Sequence, residues 1–194
     1  MTSQALLEIA GVTKKFGELR AIDNVNLQIN SKELVGLIGP NGSGKTTMFN
    51  LITGFLRPTT GKILFKGNEI SGRLPHDICR MGVARTFQVL ETFRRLTVEE
   101  AVAVGALNRS KGIDEARKRA GTAIEYFGMT PIKSRRCADL TLANMRRVEL
   151  ARALSTEPEL LLIDEVAAGL NPVELDELMD LIRQLRDERG ISII

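Results

Sequence analysis

Gly39-Pro40-Asn41-Gly42-Ser43-Gly44-Lys45-Thr46-Thr47 is the stretch whose residue types and spacing carry the most chemistry. Gly39, Gly42 and Gly44 let a backbone turn tightly and come close to a ligand, because no Cβ stands in the way. The amide N–H groups of such a loop point inward, where they bind phosphate oxygens. Lys45 brings a cation to the β- and γ-phosphates, the Thr46 hydroxyl suits Mg²⁺, and Thr47 adds a phosphate contact. Pro40, Asn41 and Ser43 complete the loop as candidate nucleotide-binding residues. A glycine-rich turn can arise by chance, but this pattern also needs a strand before it and a helix after it. Residues 34–38 (LVGLI) supply a short apolar run, and residues 45–53 read as a helix.

A second constellation is Leu160-Leu161-Leu162-Ile163-Asp164-Glu165. An apolar strand ending in two acids sets carboxylates at the carboxyl edge of a parallel sheet, where a phosphate loop also sits. Asp164 is then placed to hold Mg²⁺, and Glu165 to polarise an attacking water. Standing alone, this would read equally well as a strand running into a surface turn. Two single residues gain interest only in this company. Gln88 follows the strand-like Arg85-Thr86-Phe87, and a lone Gln is ordinarily a surface residue. Phe16 sits in the turn after an N-terminal strand; it would ordinarily be core or turn, but an aromatic face can stack on a purine ring.

The elements that must position these groups alternate. Residues 5–12 and 21–29 read as strands joined by a turn at Phe16-Gly17, and 62–65 and 83–87 as two more. Residues 96–140 turn helical. Thr97 and Glu100 make a capping box, and Ala116, Ala120, Ile124 and Phe127 recur at helical spacing up to a terminating Gly128. After the strand at 160–163, Asn171-Pro172 opens a last helix with Glu174 in its first turn. Leu175, Leu178, Ile182 and Leu185 form its apolar stripe, Gly190 ends it, and 191–194 begin a further strand. The predicted fold class is α/β: a phosphate-loop core with an N-terminal antiparallel β region and a helical subdomain. The expected divisions are 1–88, the first part of the core; 89–140, the helical subdomain; and 141–194, a helix, the acidic strand and the final helix.

The chain of 194 residues carries a net charge of +3, with its Lys and Arg scattered, so composition does not call for a nucleic-acid partner. Cys79 and Cys137 lack metal-ligand spacing, and the single histidine, His76, has no partner cluster. No apolar run reaches membrane-spanning length, and the first residues lack a leader pattern. The expectation is a soluble chain that docks on membrane subunits from the cytoplasmic side.

The order of Phe16, GPNGSGKTT, Arg85-Thr86-Phe87-Gln88, a helical segment, Arg146-Arg147-Val148-Glu149-Leu150-Ala151-Arg152-Ala153-Leu154, LLLIDE and Ala167-Ala168-Gly169-Leu170-Asn171-Pro172 resembles the ATPase subunits of ABC transporters. The resemblance runs from about Leu7 to Ile194. RTFQ and AAGLNP look most like the ATPase subunits of branched-chain amino-acid importers, and the Arg146 helix is shared with lipopolysaccharide-export ATPases. The resemblance implies ATP and Mg²⁺ as ligands, with Phe16 stacking on adenine. It implies Lys45, Gln88 and Glu165 in catalysis, and Thr46, Gln88 and Asp164 around the metal. Residues 140–144 align with the signature motif, so Thr141 and Ala143 would face the γ-phosphate held by a second ATPase subunit. Two chains would sandwich two ATP molecules and drive integral membrane permease subunits, one of whose helices would enter the groove near Gln88, Phe93 and Leu96.

Three positions depart from the pattern. Ala143 and Asn144 stand where Gly and Gln are usual, and Ala143 would be penalised wherever φ must be positive. Val166 stands where proline usually follows the acid pair, leaving a looser loop. The chain stops in an apolar strand before the family's switch histidine, so a truncated chain is expected. Three functions therefore remain compatible with the sequence. One is a hydrolysing importer motor, with lipopolysaccharide export as its variant. Another is a nucleotide-binding but catalytically weak or silent subunit. The last is an ABC protein acting on nucleic acid, which usually carries two nucleotide domains or large insertions that this chain lacks.

Overall fold

The computed structural model describes residues 5–87, 93–165 and 167–194. Two long strands come first, β1 (Leu7–Phe16) and β2 (Leu19–Ile29), paired antiparallel around the turn at Gly17. β3 (Thr60–Phe65) pairs with the other edge of β1, and the two-residue β4 (Asn68–Glu69) with β3, giving the order β2-β1-β3-β4. Leu7, Ile9, Ile63 and Phe65 are buried, as alternation along a half-covered antiparallel sheet requires. The register of β1 against β2 shifts between Ile9 and Lys15, irregularities of the kind that bend an edge hairpin.

A second sheet is parallel, with order β5-β6-β7: β5 (Val83–Arg85), β6 (Leu160–Leu162) and β7 (Ser192–Ile193). β6 is buried along its length and alternates between two cores. Leu160 and Leu162 join a cluster with Met48, Phe49, Leu51 and Ile52 of α1 (Lys45–Ile52) and with the antiparallel sheet. Leu161 joins the other cluster, with Leu178, Ile182 and Leu185 of α6 (Pro172–Arg189). Helices thus cover both faces of the parallel sheet, the layering its connections demand.

The second core also holds α3 (Val98–Ala106), α4 (Ile113–Tyr126) and α5 (Leu142–Leu154), and α5 packs on both α3 and α4. A short helix, α2 (Pro75–Met81), leads into β5. The capping boxes expected at Thr97/Glu100 and Asn171/Glu174 are formed, each with its reciprocal pair of hydrogen bonds. Gly128 and Gly190 take the left-handed conformation just past the ends of α4 and α6. The expected α/β class with an antiparallel β region and a helical subdomain is observed.

Residues 34–38, expected as a strand, are not one. Only Leu34 bridges, in parallel, to Ile193. Val35 N–H donates to the Ile193 carbonyl at 2.9 Å, and Ile193 N–H to the Glu33 carbonyl at 2.8 Å. From Gly36 to Ile38 no ladder bond forms among the described residues, and Ile38 is 95% exposed. An apolar run becomes a strand only where a neighbour offers its backbone, and among the described residues none bonds to 36–38.

Candidate nucleotide site

α1 begins at Lys45 because Gly44 turns the chain into it. Gly44 has φ 91, and a Cβ there would lie 2.7 Å from the Ala21 carbonyl oxygen and from Ile22 Cδ1 on β2. Gly42 is also left-handed, with φ 80. Alone among the described α-helices, α1 has neither a capping side chain nor an acid in its first turn. Its first amide groups and the positive end of its dipole are left for an outside anion. Lys45 folds back over the loop, its Nζ donating to the Gly39 carbonyl at 2.7 Å and the Pro40 carbonyl at 2.8 Å. Ser43 N–H closes a turn onto the Pro40 carbonyl at 3.2 Å. The ammonium is thus held at the loop that would cradle phosphate.

Leu34, β7, β6 and β5 run parallel. Loop 39–44 after Leu34 and the acids after β6 therefore leave the sheet at its carboxyl edge, as the sequence implied. Asp164 is 17% exposed in its side chain. Its backbone N–H donates to Thr86 Oγ1 at 3.2 Å, and its Oδ2 accepts from Arg85 Nη2 at 2.8 Å. Arg85 also donates through Nη1 to Asn50 Oδ1 on α1, at 2.6 Å. The sequence reading missed both Arg85 and Asn50. The one local signal was a charged residue closing an otherwise apolar strand. Glu165 is exposed and left-handed, with φ 48, a conformation that costs a non-glycine residue about 1 kcal/mol or more.

Phe16 stands at the tip of the β1–β2 hairpin, opposite Leu19 and 45% exposed. Lys14 Nζ lies 5.0 Å from its ring centroid. The same hairpin carries Ala21 and Ile22 against Gly44, so an exposed aromatic face and the phosphate loop share one neighbourhood. Gln88 and Val166 lie outside the described residues.

Thr141 is the N-cap of α5, accepting from Asn144 N–H at 3.3 Å. Ala143 lies within that right-handed helix, so the penalty expected for a positive φ does not arise. A Cβ on Gly169 would come 2.7 Å from Leu142 Cδ2, which places the loop after Glu165 against the start of α5. Among the described residues of one chain, no hydrogen bond joins Thr141 or Ala143 to residues 39–47.

Deeper in α5, Arg146 and Glu149 form a buried ion pair at 3.0 Å. Burial pushes the Glu149 carboxyl above its ordinary pKa and Arg152 below its own. Arg152 lies 4.6 Å from the centroid of the Phe93 ring. Both residues line a largely apolar groove of about 530 Å³, together with Phe55, Cys79, Phe87 and Val104.

The donors suited to a metal are hard oxygens, Thr46 Oγ1 and the Asp164 carboxylate. Such a sparse protein set fits Mg²⁺, which takes its remaining positions from phosphate and water. An uncapped helix start, a folded-back lysine and a carboxylate at the same sheet edge define a mononucleotide-binding protein of the phosphate-loop class. The family model described as ABC transporter matches residues 22–168. The chain belongs to the ABC transporter family, as one of its ATPase subunits.

Among its relatives is the high-affinity branched-chain amino acid transport ATP-binding protein LivG of Escherichia coli K12. It is 42% identical over 99% of this chain and 81% of its own length. The ADP conformation of MJ1267, an ATP-binding cassette of an ABC transporter, superposes with a TM-score of 0.90 at 29% identity, covering 98% of this chain and 80% of that one. A dimeric post-hydrolysis state of the ATP-binding cassette MJ0796, bound to ADP and Pi, gives 0.82 at 28% identity, covering 96% and 85%.

Proposed function

We propose that this chain hydrolyses ATP to drive a transporter that takes up branched-chain amino acids. The observation that carries the ATP chemistry is the start of α1, with no cap and no acid, and with Lys45 held at the Gly39 and Pro40 carbonyls. The uptake of branched-chain amino acids rests on the likeness to LivG. In this reading residues 39–47 bind the phosphates and Phe16 stacks on the adenine. Thr46 and Asp164 hold Mg²⁺, with Gln88 completing the metal side. Mg²⁺, when bound, neutralises charge on the β- and γ-phosphates. Glu165 orients the attacking water and accepts its proton, and Lys45 stabilises charge on the transferring phosphoryl group. Thr141 and Ala143 meet the γ-phosphate of a second ATPase subunit. Integral membrane permease subunits are the partners at the cytoplasmic face of the membrane, and no nucleic acid is involved. The groove lined by Phe87, Phe93, Arg85 and Arg152 offers them an apolar seat carrying two arginines.

The deciding experiment measures Mg²⁺-dependent ATP hydrolysis by the purified chain, with Glu165→Gln as blank. Turnover about 10²–10⁴-fold above the blank is expected, and Lys45→Ala should abolish it together with tight nucleotide binding. Nucleotide binding without turnover above the blank would replace the motor by a silent, regulatory subunit.

A further inference from the structure

Arg85 closes β5, whose other residues, Val83 and Ala84, are buried. Its side chain is only 8% exposed. The guanidinium joins two elements that the sequence holds far apart: Asn50 on α1 at 2.6 Å, and Asp164 after β6 at 2.8 Å. The rings of Phe49 and Phe87 flank it, their centroids 5.5 Å and 5.4 Å away. A cation this deep is costly to desolvate and persists only where a carboxylate, further hydrogen bonds and aromatic faces compensate it together.

We propose that Arg85 is a positioning residue that sets the geometry of the metal-holding oxygens. The inference rests on the reading of Thr46 and Asp164 as the metal side of the site. Asn50 follows Thr46 by four residues on α1, so the two side chains lie on one helix face. Holding Asn50 with one amino group and Asp164 with the other, Arg85 fixes where the carboxylate stands relative to that face. Asp164 Oδ2 is taken up by the guanidinium, which leaves Oδ1 to turn toward the metal or a water on it. The planar fork matters more than the charge, because two partners in different directions are held by one rigid group. Groups that orient a metal ligand in this way are worth about 10–100-fold in metal affinity.

The test follows a fluorescent ADP analogue binding to the full chain, in EDTA and then across a Mg²⁺ titration, for wild type, Arg85→Lys, Asn50→Ala and Asp164→Asn. Melting temperatures are recorded without metal. Arg85→Lys keeps the charge and loses the fork. It should bind the analogue normally in EDTA and need about 10–100-fold more Mg²⁺ for half-maximal tightening. Asn50→Ala should shift the midpoint in the same direction by less, and it carries the test should Arg85→Lys not fold. An unchanged Mg²⁺ midpoint with a lower melting temperature would make Arg85 a structural ion pair and overturn the proposal. A lower midpoint would also overturn it, by showing that Arg85 competes with the metal. Asp164→Asn separates the two levels of inference. If its midpoint matches wild type, the metal reading itself fails and Arg85 has nothing to position. If Asp164→Asn shifts and neither Arg85→Lys nor Asn50→Ala does, only the positioning role fails.

Discussion

Burial raises the pKa of Glu149 on α5 against the pull of Arg146 and Arg152. Between the ordinary carboxylate value and the raised one, the folded chain binds more protons than the unfolded chain, so stability falls as pH rises through that window. Glu149→Gln cannot titrate, and the advantage of wild type over it should shrink by up to about 1.4 kcal/mol per pH unit there. Urea unfolding of both proteins at several pH values from about 4.5 upward measures this, and a constant difference would refute it. No residue pattern announced the pair. Arg146 and Glu149 are buried where α5 packs against its neighbours, α3 and α4 chief among them. Arg85 escaped the sequence for the same reason, since its partners lie 35 and 79 residues away. Residues 39–47 could be read because the pattern is local. Each glycine answers to a turn within the loop, and only at Gly44, pressed against Ala21 and Ile22, does a distant neighbour add a second reason.

Helix ends carry the clearest signals at the scale of elements, because a cap is satisfied within four residues of itself. Asn171 accepts from Glu174 N–H at 3.0 Å, and Glu174 returns a bond to Asn171 N–H at 3.1 Å. Asn171→Ala would remove the capping side chain from the longest helix, at a cost of about 1 kcal/mol. For a chain of this size the melting temperature should fall by about 2–4 °C, and calorimetry showing no change would mean that α6 is held by its buried stripe alone. Strands are less legible, because their partners come from elsewhere. LVGLI has the composition of a buried strand, yet only Leu34 enters a ladder. LLLI is likewise apolar, and its three leucines become β6 between two neighbours. Composition states that a segment can be a strand; its partners decide whether it is.

At the scale of the molecule, helices cover both faces of the parallel sheet, and the loop leading to Lys45 and the acids Asp164 and Glu165 leave it at its carboxyl edge. Thr141 and Ala143 stand at the start of α5, against the loop that follows Glu165. Thr141 caps α5 and is exposed, and no hydrogen bond joins it to residues 39–47 among the described residues. In the proposed sandwich, the γ-phosphate bound at Lys45 meets Thr141 of another copy. An isologous pair satisfies this twice, since the patch each copy offers is the patch it receives. ATP then acts as part of the interface, and hydrolysis removes the group that both copies hold. Glu165→Gln should therefore keep ATP bound and trap the pair. With ATP and Mg²⁺, light scattering behind a sizing column should report about twice the monomer mass, falling back to monomer with ADP or in EDTA. Lys45→Ala should stay monomeric throughout, because it lacks the nucleotide that joins the halves. Ala143→Gly should dimerise no better than Ala143, since this position lies in a right-handed helix and needs no left-handed backbone. A Glu165→Gln chain that stays monomeric with ATP and Mg²⁺ would mean that the start of α5 does not face a second nucleotide.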